Sequence, residues 1–401
     1  MSSIILKSAR ACRRAAGRGG SLYAMTDPFL DTLHGMRESK DAVRAGRVSR
    51  WTACAAALLA GAGCAPHEPD QGRDPTAGLE ASLAGLESLA RSFPAPDDAP
   101  LRWPSDHAFH PQQFTESWLL AGLLRAEDGK RYGFHLLLQR VALRVEERAR
   151  DSAWAADAAW QGVFVVEPES AARSTAERFS REALGLAGAG EEVASAWLED
   201  WRIEILPGPG VGRLRAASDN AALELSFRLP DPLPAATTAD ARRGYWWPGL
   251  DAAGTLLFDG RASPVSGSAL LDRSWGQVPP VGRGQLALAR SWLQDPDGTG
   301  VRCEQLRRRG GGGVPLGACT EFPSGRSTEQ LPEPTEAAAR EGRVPLDWRM
   351  RLSGADETTR WRPLADAGGP DVAWSGVVVP VDDSESGDRW GFLSLSNFAA
   401  P

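Results

Sequence analysis

The sequence is poor in the side chains that most hydrolases and metalloenzymes use. Its 401 residues include five Cys, five His and three Tyr, and no histidine follows His135. It lacks the Gly-x-Ser-x-Gly elbow, the Cys-x-x-Cys and His-Glu-x-x-His motifs and a phosphate-binding loop. A histidine-based triad or a zinc site would therefore have to be built from the first half of the chain.

Charge excludes a second group of functions. The formal net charge is −7, with 42% hydrophobic and 24% charged residues, an ordinary globular composition. Basic residues outnumber acidic ones before residue 65, so the acidic excess lies in the remainder. This argues against a nucleic-acid partner or an anionic-membrane surface on the folded part. The length suits two domains or one large one.

The first 64 residues read as a targeting leader. Basic residues precede the apolar run Trp51–Leu59, and the small residues Gly61–Gly63 precede Cys64; the basic residues are Arg37, Lys40, Arg44, Arg47 and Arg50. This order resembles a bacterial lipoprotein signal, which implies export, lipidation of Cys64 and a membrane anchor on the periplasmic side. Translation would then begin at Met25 or Met36. The alternative is a buried helix of a cytosolic protein.

Short apolar or alternating runs dominate after a predicted linker over residues 65–100, which carries Leu79, Leu83, Leu86 and Leu89 at helical spacing. Runs near ten residues apart predict an all-β fold of barrels or sandwiches. We expect two consecutive β-domains, over residues 101–250 and 251–401, and one helical insert over Ala171–Leu186. The glycine cluster Gly208–Gly212 lies between two strands, which predicts a hairpin turn rather than a dinucleotide site.

Two cysteines outside the leader flank a turn. Cys303 and Cys319 lie on either side of the glycine-rich segment Arg307–Gly313. A hairpin centred there places Cys303 opposite Cys319 and Leu306 opposite Leu316. A cross-strand disulfide fits an oxidising compartment, and two free thiols are the alternative.

One carboxylate stands out in the segment Gly267–Gly276. Because side chains alternate along a strand, Asp272 shares a face with Leu270, whereas Arg273 and Trp275 point to the other face. If the face of Asp272 is the inside, burial raises its pKa and the acid can donate a proton. From the pattern alone, a turn or salt-bridged surface residue is the commoner interpretation.

Two further groups of polar residues have a structural interpretation beside a functional one. Asp106, His107 and His110 could supply two or three zinc ligands, or could belong to a loop that orients the first strand. Arg178, Arg181 and the Glu199-Asp200 pair are more typical of a structural ion network. We therefore predict no metal site.

Several segments together resemble the AttH-like, carotenoid 1,2-hydratase family, strongly over residues 100–280 and weakly beyond. The segments are Pro104–Pro111, Glu116–Trp118, Gly129–His135, Arg178–Gly188, Trp197–Trp201, Gly254–Leu256 and Asp272–Gly276. The resemblance implies two lipocalin-like β-domains in an exported or membrane-associated protein. It also implies cofactor-independent hydration of a carbon–carbon double bond in a hydrophobic, isoprenoid-like molecule.

The resemblance assigns roles to individual residues. Asp272 keeps the acid of the hydratase motif and is the expected general acid, although Leu270 replaces the aromatic residue that hydratases have there. The expected substrate-binding residues are Glu116, Trp118, His135, Tyr245, Trp246, Trp247 and Trp275. Aromatic faces among them would stabilise a carbocation.

Two other functions remain compatible with the sequence. One is a non-catalytic lipocalin-like carrier of a hydrophobic ligand, for which Asp272 has no chemical role. The other is a hydrolase-type lipoprotein associated with an ABC transporter, for which the sequence offers no evident nucleophile.

Overall fold

The structure is a computed structural model that describes residues 88–398, with gaps at 146–151, 153, 191–193, 207–209, 230–232, 235, 240, 278–285, 310–313, 329, 336–343, 352–357, 367–372 and 382–388. The predicted leader with Cys64 and most of the predicted linker helix lie outside the described residues. Residues 88–92 are helical, and Ser105–His107 form a short 3-10 helix. Among the described residues, no helix has the length and apolar character needed to cross a membrane.

The first sheet contains twelve strands. They are β1 (Thr115–Ala126), β2 (Arg131–Ala142), β3 (Ala158–Pro168), β4 (Ser174–Arg181), β5 (Ala187–Gly190), β6 (Ala194–Leu198), β7 (Trp201–Leu206), β8 (Val211–Ala217), β9 (Ala221–Arg228), β10 (Thr237–Ala239), β11 (Arg242–Phe258) and β12 (Arg261–Gly276). Their order is β4-β3-β2-β1-β12-β11-β9-β8-β7-β6-β5, and β10 pairs with β11.

The first sheet curls so that its two ends meet. Gly162 on β3 faces the side chains of Leu198 and Trp201, from the opposite end of the sheet. Across the same junction, Arg178 forms ion pairs with Glu199 and Asp200 and lies 4.4 Å from the ring centre of Trp201. Arg178 and the Glu199-Asp200 pair, three of the four residues of the predicted ion network, therefore help to close the curled sheet.

The second sheet contains nine strands. They are β13 (Leu286–Gln294), β14 (Gly300–Arg308), β15 (Leu316–Phe322), β16 (Ser327–Thr328), β17 (Glu333–Pro334), β18 (Trp348–Met350), β19 (Thr359–Pro363), β20 (Trp374–Pro380) and β21 (Trp390–Ser396). Their order is β16-β15-β14-β13-β21-β20-β19-β18-β17. Cys303 and Cys319 are paired in register, as are Leu306 and Leu316, and a disulfide joins the two cysteines.

The two sheets pack face to face, which explains the long apolar runs of the central strands. β1 is buried on both faces along most of its length, whereas β8 and β9 alternate buried and exposed residues. One face of β1 lines the concave core of the first sheet, and the other contacts the second sheet. Across that junction, Trp246 packs against Phe322, and Trp390 donates a hydrogen bond to Ser268.

The predicted all-β fold with two curled sheets is confirmed, but two details differ. The predicted helix over Ala171–Leu186 is wrong, because Ser174–Arg181 form the edge strand β4. Pairing with β3 outweighs the helix propensity of this segment. The predicted boundary between the two domains, after residue 250, lies inside β11. The first sheet continues to Gly276, because β11 and β12 form one long hairpin within it.

Candidate functional site

The predicted site residues lie on two opposite faces of the first sheet. Cross-strand register pairs Glu116 with Trp275, and Arg273 with both Trp118 and Tyr245, which places these side chains on the concave face. Trp246 pairs with Asp272, and both face the second sheet. Trp247 lies on the concave face, and His135 on β2 faces the second sheet. Strand alternation therefore separates Asp272 from all the predicted aromatic residues except Trp246.

The concave face of the first sheet carries a closely packed group of aromatic and charged side chains, which we call the inner cluster. Its members are Trp103, His107, His110, Glu116, Trp118, Tyr245, Trp247, Arg273 and Trp275. Arg273 donates to Glu116 Oε1 at 2.7 Å and to the carbonyl oxygen of Ala108 at 2.9 Å. Its guanidinium lies 4.0 Å from the ring centre of Trp118. The cluster thus fastens the loop that precedes β1 to the sheet.

Burial and Arg273 set the charges of the inner cluster. Burial opposes ionisation of Glu116, but the charges of Arg273 and His110 outweigh it and lower the pKa of this carboxyl. Burial and the charge of Arg273 lower the pKa of His107 to about 4, so His107 is neutral at pH 7. Burial also raises the pKa of Tyr245, whose Oη lies 2.6 Å from His107 Nδ1. A neutral histidine between a tyrosine and two tryptophans is a packing arrangement.

The three residues considered as zinc ligands have separate partners. His107 contacts Tyr245, and His110 donates to Glu116 Oε1 at 2.8 Å and stacks on Trp275. Asp106 accepts from the backbone nitrogen of Arg102 at 2.8 Å. In the part of the chain that the structure describes, no three His, Cys, Asp or Glu side chains converge on a metal position.

Asp272 belongs to a buried charged group between the sheets, the intersheet cluster, which comprises Arg242, Asp272, Arg290, Trp292, Arg302 and Glu304. Asp272 Oδ2 accepts from Trp292 Nε1 and from Arg302 Nε, both at 2.9 Å. The side chain of Asp272 is 2% exposed and that of Arg302 is 7% exposed. The carboxyl group is therefore buried, and it forms an ion pair.

Three arginines and two acids make up the charge of the intersheet cluster. Burial lowers the pKa of Arg302, but the charges of Asp272 and Glu304 outweigh burial and raise it. Arg242 donates to both carboxylate oxygens of Glu304. Burial opposes ionisation of Glu304, but the charges of Arg242 and its neighbouring arginines outweigh burial and lower the pKa of this carboxyl. Asp272 Oδ2 thus accepts a charge-assisted hydrogen bond from Arg302 Nε.

His135 lies elsewhere on the intersheet face, beside a second buried acid. Its Nε2 is 3.1 Å from Ser375 Oγ, and its ring packs against Phe392. Burial, with a contribution from the charge of Arg173, lowers the pKa of His135 well below its ordinary value. Nearby, Glu167 accepts from the backbone nitrogen of Val377 at 2.5 Å, and burial raises its pKa to about 7. Glu167 is thus a buried acid that keeps its proton near neutrality.

A cavity of about 410 Å³ lies at the edge of the second sheet, apart from the residues discussed so far. It opens beside β14 and β18, next to the segment that leads into β17. Half of its lining residues are apolar and half are polar or charged, and the charged side chains are exposed at its mouth. The apolar residues are Leu293, Cys303, Leu331, Pro332 and Met350, and the others are Gln330, Glu333, Arg349, Arg351 and Thr358. The volume falls within the range of small-molecule pockets, about 300–1,000 Å³.

The fold defines a protein of two curled β-sheets, and the sequence places it within a family. It matches the AttH-like family over residues 94–371, so the chain belongs to that family. A structure assigned to AttH from Nitrosomonas europaea is similar, with a TM-score of 0.61 and 20% identity over 76% of this chain and 99% of that chain. Kievitone hydratase from Nectria haematococca has a TM-score of 0.50 and 11% identity over 75% and 94% of the respective chains. At these identities the likeness establishes the fold. No curated protein shows significant similarity to the sequence.

Sequence reasoning missed most of the intersheet cluster. Arg290, Trp292 and Arg302 lie on β13 and β14, far from the motifs that carry the family resemblance. A usable signal was present, because Arg302 and Glu304 alternate with Val301 and Cys303 in a mostly buried strand. Only the packing of the second sheet against the first shows that Trp292 and Arg302 face Asp272.

Proposed function

We propose that this protein binds a small hydrophobic molecule in the cavity of the second sheet, as a lipocalin-like binding protein. The observation that carries the proposal is the cavity itself, about 410 Å³ and half lined by apolar residues. By contrast, the side chains of the inner cluster occupy the space on the concave face of the first sheet. Binding needs no cofactor.

The lining residues favour an elongated molecule with an apolar body. Leu331 is half-buried, so a ligand that displaces water from it gains hydrophobic stabilisation, about 25 cal/mol per Å² of apolar surface. Arg349, Arg351 and Glu333 at the mouth can stay in water and contact a polar end. An isoprenoid alcohol has this build.

Fluorescence of N-phenyl-1-naphthylamine, a neutral apolar probe, tests the proposal. Leu331→Trp should fill the cavity and abolish the rise in fluorescence. Leu316→Trp is the matched control, because Leu316 is 72% exposed on β15 and should leave binding unchanged. Farnesol should displace the probe from the unaltered protein. Equal probe affinity in both variants would place the site elsewhere and overturn the assignment.

Hydration of a carbon–carbon double bond is the second candidate, favoured by the burial of Asp272 beside the indole of Trp292. In that reaction, a carboxyl proton adds to one alkene carbon, water adds to the resulting cation, and the proton that this water releases returns to the carboxylate. The step requires that Asp272 leave Arg302 and take up a proton. Trp292 and Trp246 would then present aromatic faces to the cation.

Asp272→Asn separates the two candidates. In the hydratase, this variant loses conversion of an acyclic isoprenoid alkene in isotopically labelled water but keeps the affinity for the alkene. In the binding protein, neither form produces labelled alcohol. Label incorporated equally by both forms would remove Asp272 from the reaction.

We further propose that the protein is exported and anchored through a lipid on Cys64, facing the periplasm. The support is the order of basic, apolar and small residues before Cys64 in the sequence. Cys64→Ser should move the protein from the membrane fraction to the soluble fraction and abolish its labelling with a fatty-acid analogue. Association with an ABC transporter is a further part of this proposal, and genes for such a transporter beside this one would support it.

A further inference from the structure

Three arginines and two carboxylates share the buried space between the sheets. The carboxylates are both engaged, because Asp272 pairs with Arg302, and Glu304 pairs with Arg242 and Arg302. The cross-strand register of β13 and β14 places Arg290 opposite Glu304, and Trp292 opposite Arg302. One guanidinium charge is thus left over in the intersheet cluster.

Arg290 carries that surplus charge. Its side chain is 4% exposed, and its Nε has no hydrogen-bond partner. Among the residues that the structure describes, its close contact is with the Trp292 ring, whose centre lies 5.1 Å from the guanidinium carbon. Burial lowers the pKa of Arg290 to about 10, so it remains charged at neutral pH. Buried charges in native proteins are paired, and an exception requires an explanation.

A purely structural role does not account for this arginine. The other two arginines of the cluster each donate hydrogen bonds to a carboxylate, which compensates for the loss of water. Among the described residues, Arg290 forms no hydrogen bond to a carboxylate and has only the longer-range attraction of Glu304 and Asp272, and a methionine of similar length would fill the same space against Trp292 without burying a charge. The buried charge of Arg290 is compensated if an anion that is not part of the chain accepts hydrogen bonds from its guanidinium.

We infer that the intersheet cluster is a binding site for a single carboxylate group, held by Arg290 and carried on an aromatic or apolar small molecule. A planar monoanion matches both the surplus of one charge and the forked donors of a guanidinium. The neighbouring rings of Trp292 and Phe392 give the apolar surroundings. This site is separate from the cavity of the second sheet and does not depend on the function proposed for that cavity.

Thermal unfolding with benzoate, benzamide and inorganic phosphate tests the inference on the whole protein. Benzoate should raise the Tm saturably, by about 2–4 °C at roughly ten times its Kd. Neutral benzamide should not, because it lacks the charge. A rise with phosphate that equals the rise with benzoate would overturn the assignment to a carboxylate. No saturable rise with benzoate would overturn the site.

Arg290→Met locates the effect. This variant should need at least a tenfold higher benzoate concentration for the same rise in Tm. Arg261→Met, at an exposed arginine of the β11–β12 hairpin, should keep the rise seen in the unaltered protein. An unchanged shift in Arg290→Met would place benzoate elsewhere. If Arg290→Met does not fold, Arg290→Lys keeps the charge but removes the forked donors, and it should weaken benzoate binding without abolishing it; equal binding in this variant would contradict the proposed contact.

Discussion

Asp272 and Arg302 form a buried ion pair that joins the two sheets, with Arg302 Nε 2.9 Å from Asp272 Oδ2. Asp272 comes from the long hairpin of the first sheet, and Arg302 comes from β14 of the second. Both side chains are buried, so each charge depends on its buried partners. The pair therefore links the packing of the sheets to the only predicted catalytic residue.

Removing one partner of this pair should cost more than removing both. Arg302→Met leaves Asp272 buried without its ion-pair partner, with an expected loss of about 3–5 kcal/mol in the free energy of unfolding, and Asp272→Leu should cost less because Arg302 still contacts Glu304 at 3.4 Å. The double variant Asp272→Leu/Arg302→Met should lose less than either single variant. Guanidinium denaturation of the three proteins measures this coupling, and additive losses would show that the pair contributes no interaction of its own.

The sequence predicted the strands around Asp272 better than it predicted the neighbours of that residue. Alternation along β12 correctly separated Asp272 from Arg273, because strand periodicity is a local property. The identity of the facing residues depends on how the second sheet packs, to which Trp292 and Arg302 contribute from strands that begin ten or more residues later. The local pattern can mark Arg302 as a polar residue of a buried strand, but it does not show which residue of the other sheet it contacts.

The raised pKa of Glu167 predicts that the protein loses stability as the pH rises toward neutrality. Its pKa is raised from 4.5 to about 7 by burial, so the folded state holds this proton over a range in which the unfolded state releases it. The unfolding free energy should therefore fall as the pH rises from about 4.5 to about 7, by roughly 3 kcal/mol in total. Glu167→Gln removes this dependence. Denaturation at several pH values checks it, and parallel profiles for both proteins would contradict it.

The lowered pKa of His135 predicts the opposite trend, a loss of stability as the pH falls into the acidic range. Burial lowers the pKa of its folded-state imidazole, so below about pH 6.5 the unfolded state binds a proton that the folded state does not. Stability should then fall as the pH is lowered, by at most roughly 1.4 kcal/mol per pH unit. Glu167 masks this loss in the unaltered protein, because its effect has the other sign. The comparison is therefore Glu167→Gln against Glu167→Gln/His135→Gln, and equal slopes below pH 6.5 would exclude His135 as the source.

The Cys303–Cys319 disulfide should stabilise the second sheet. The two cysteines face each other across the β14–β15 pair, with Cα atoms 4.0 Å apart and a sequence separation of 16. A cross-link that closes a loop of this length restricts the unfolded chain and contributes about 3 kcal/mol. Cys303→Ala/Cys319→Ala should therefore lower the free energy of unfolding by about 2–4 kcal/mol under oxidising conditions. Under reducing conditions, the unaltered protein should lose most of this difference. A double variant as stable as the oxidised protein would show that packing of the paired strands alone holds this edge of the sheet.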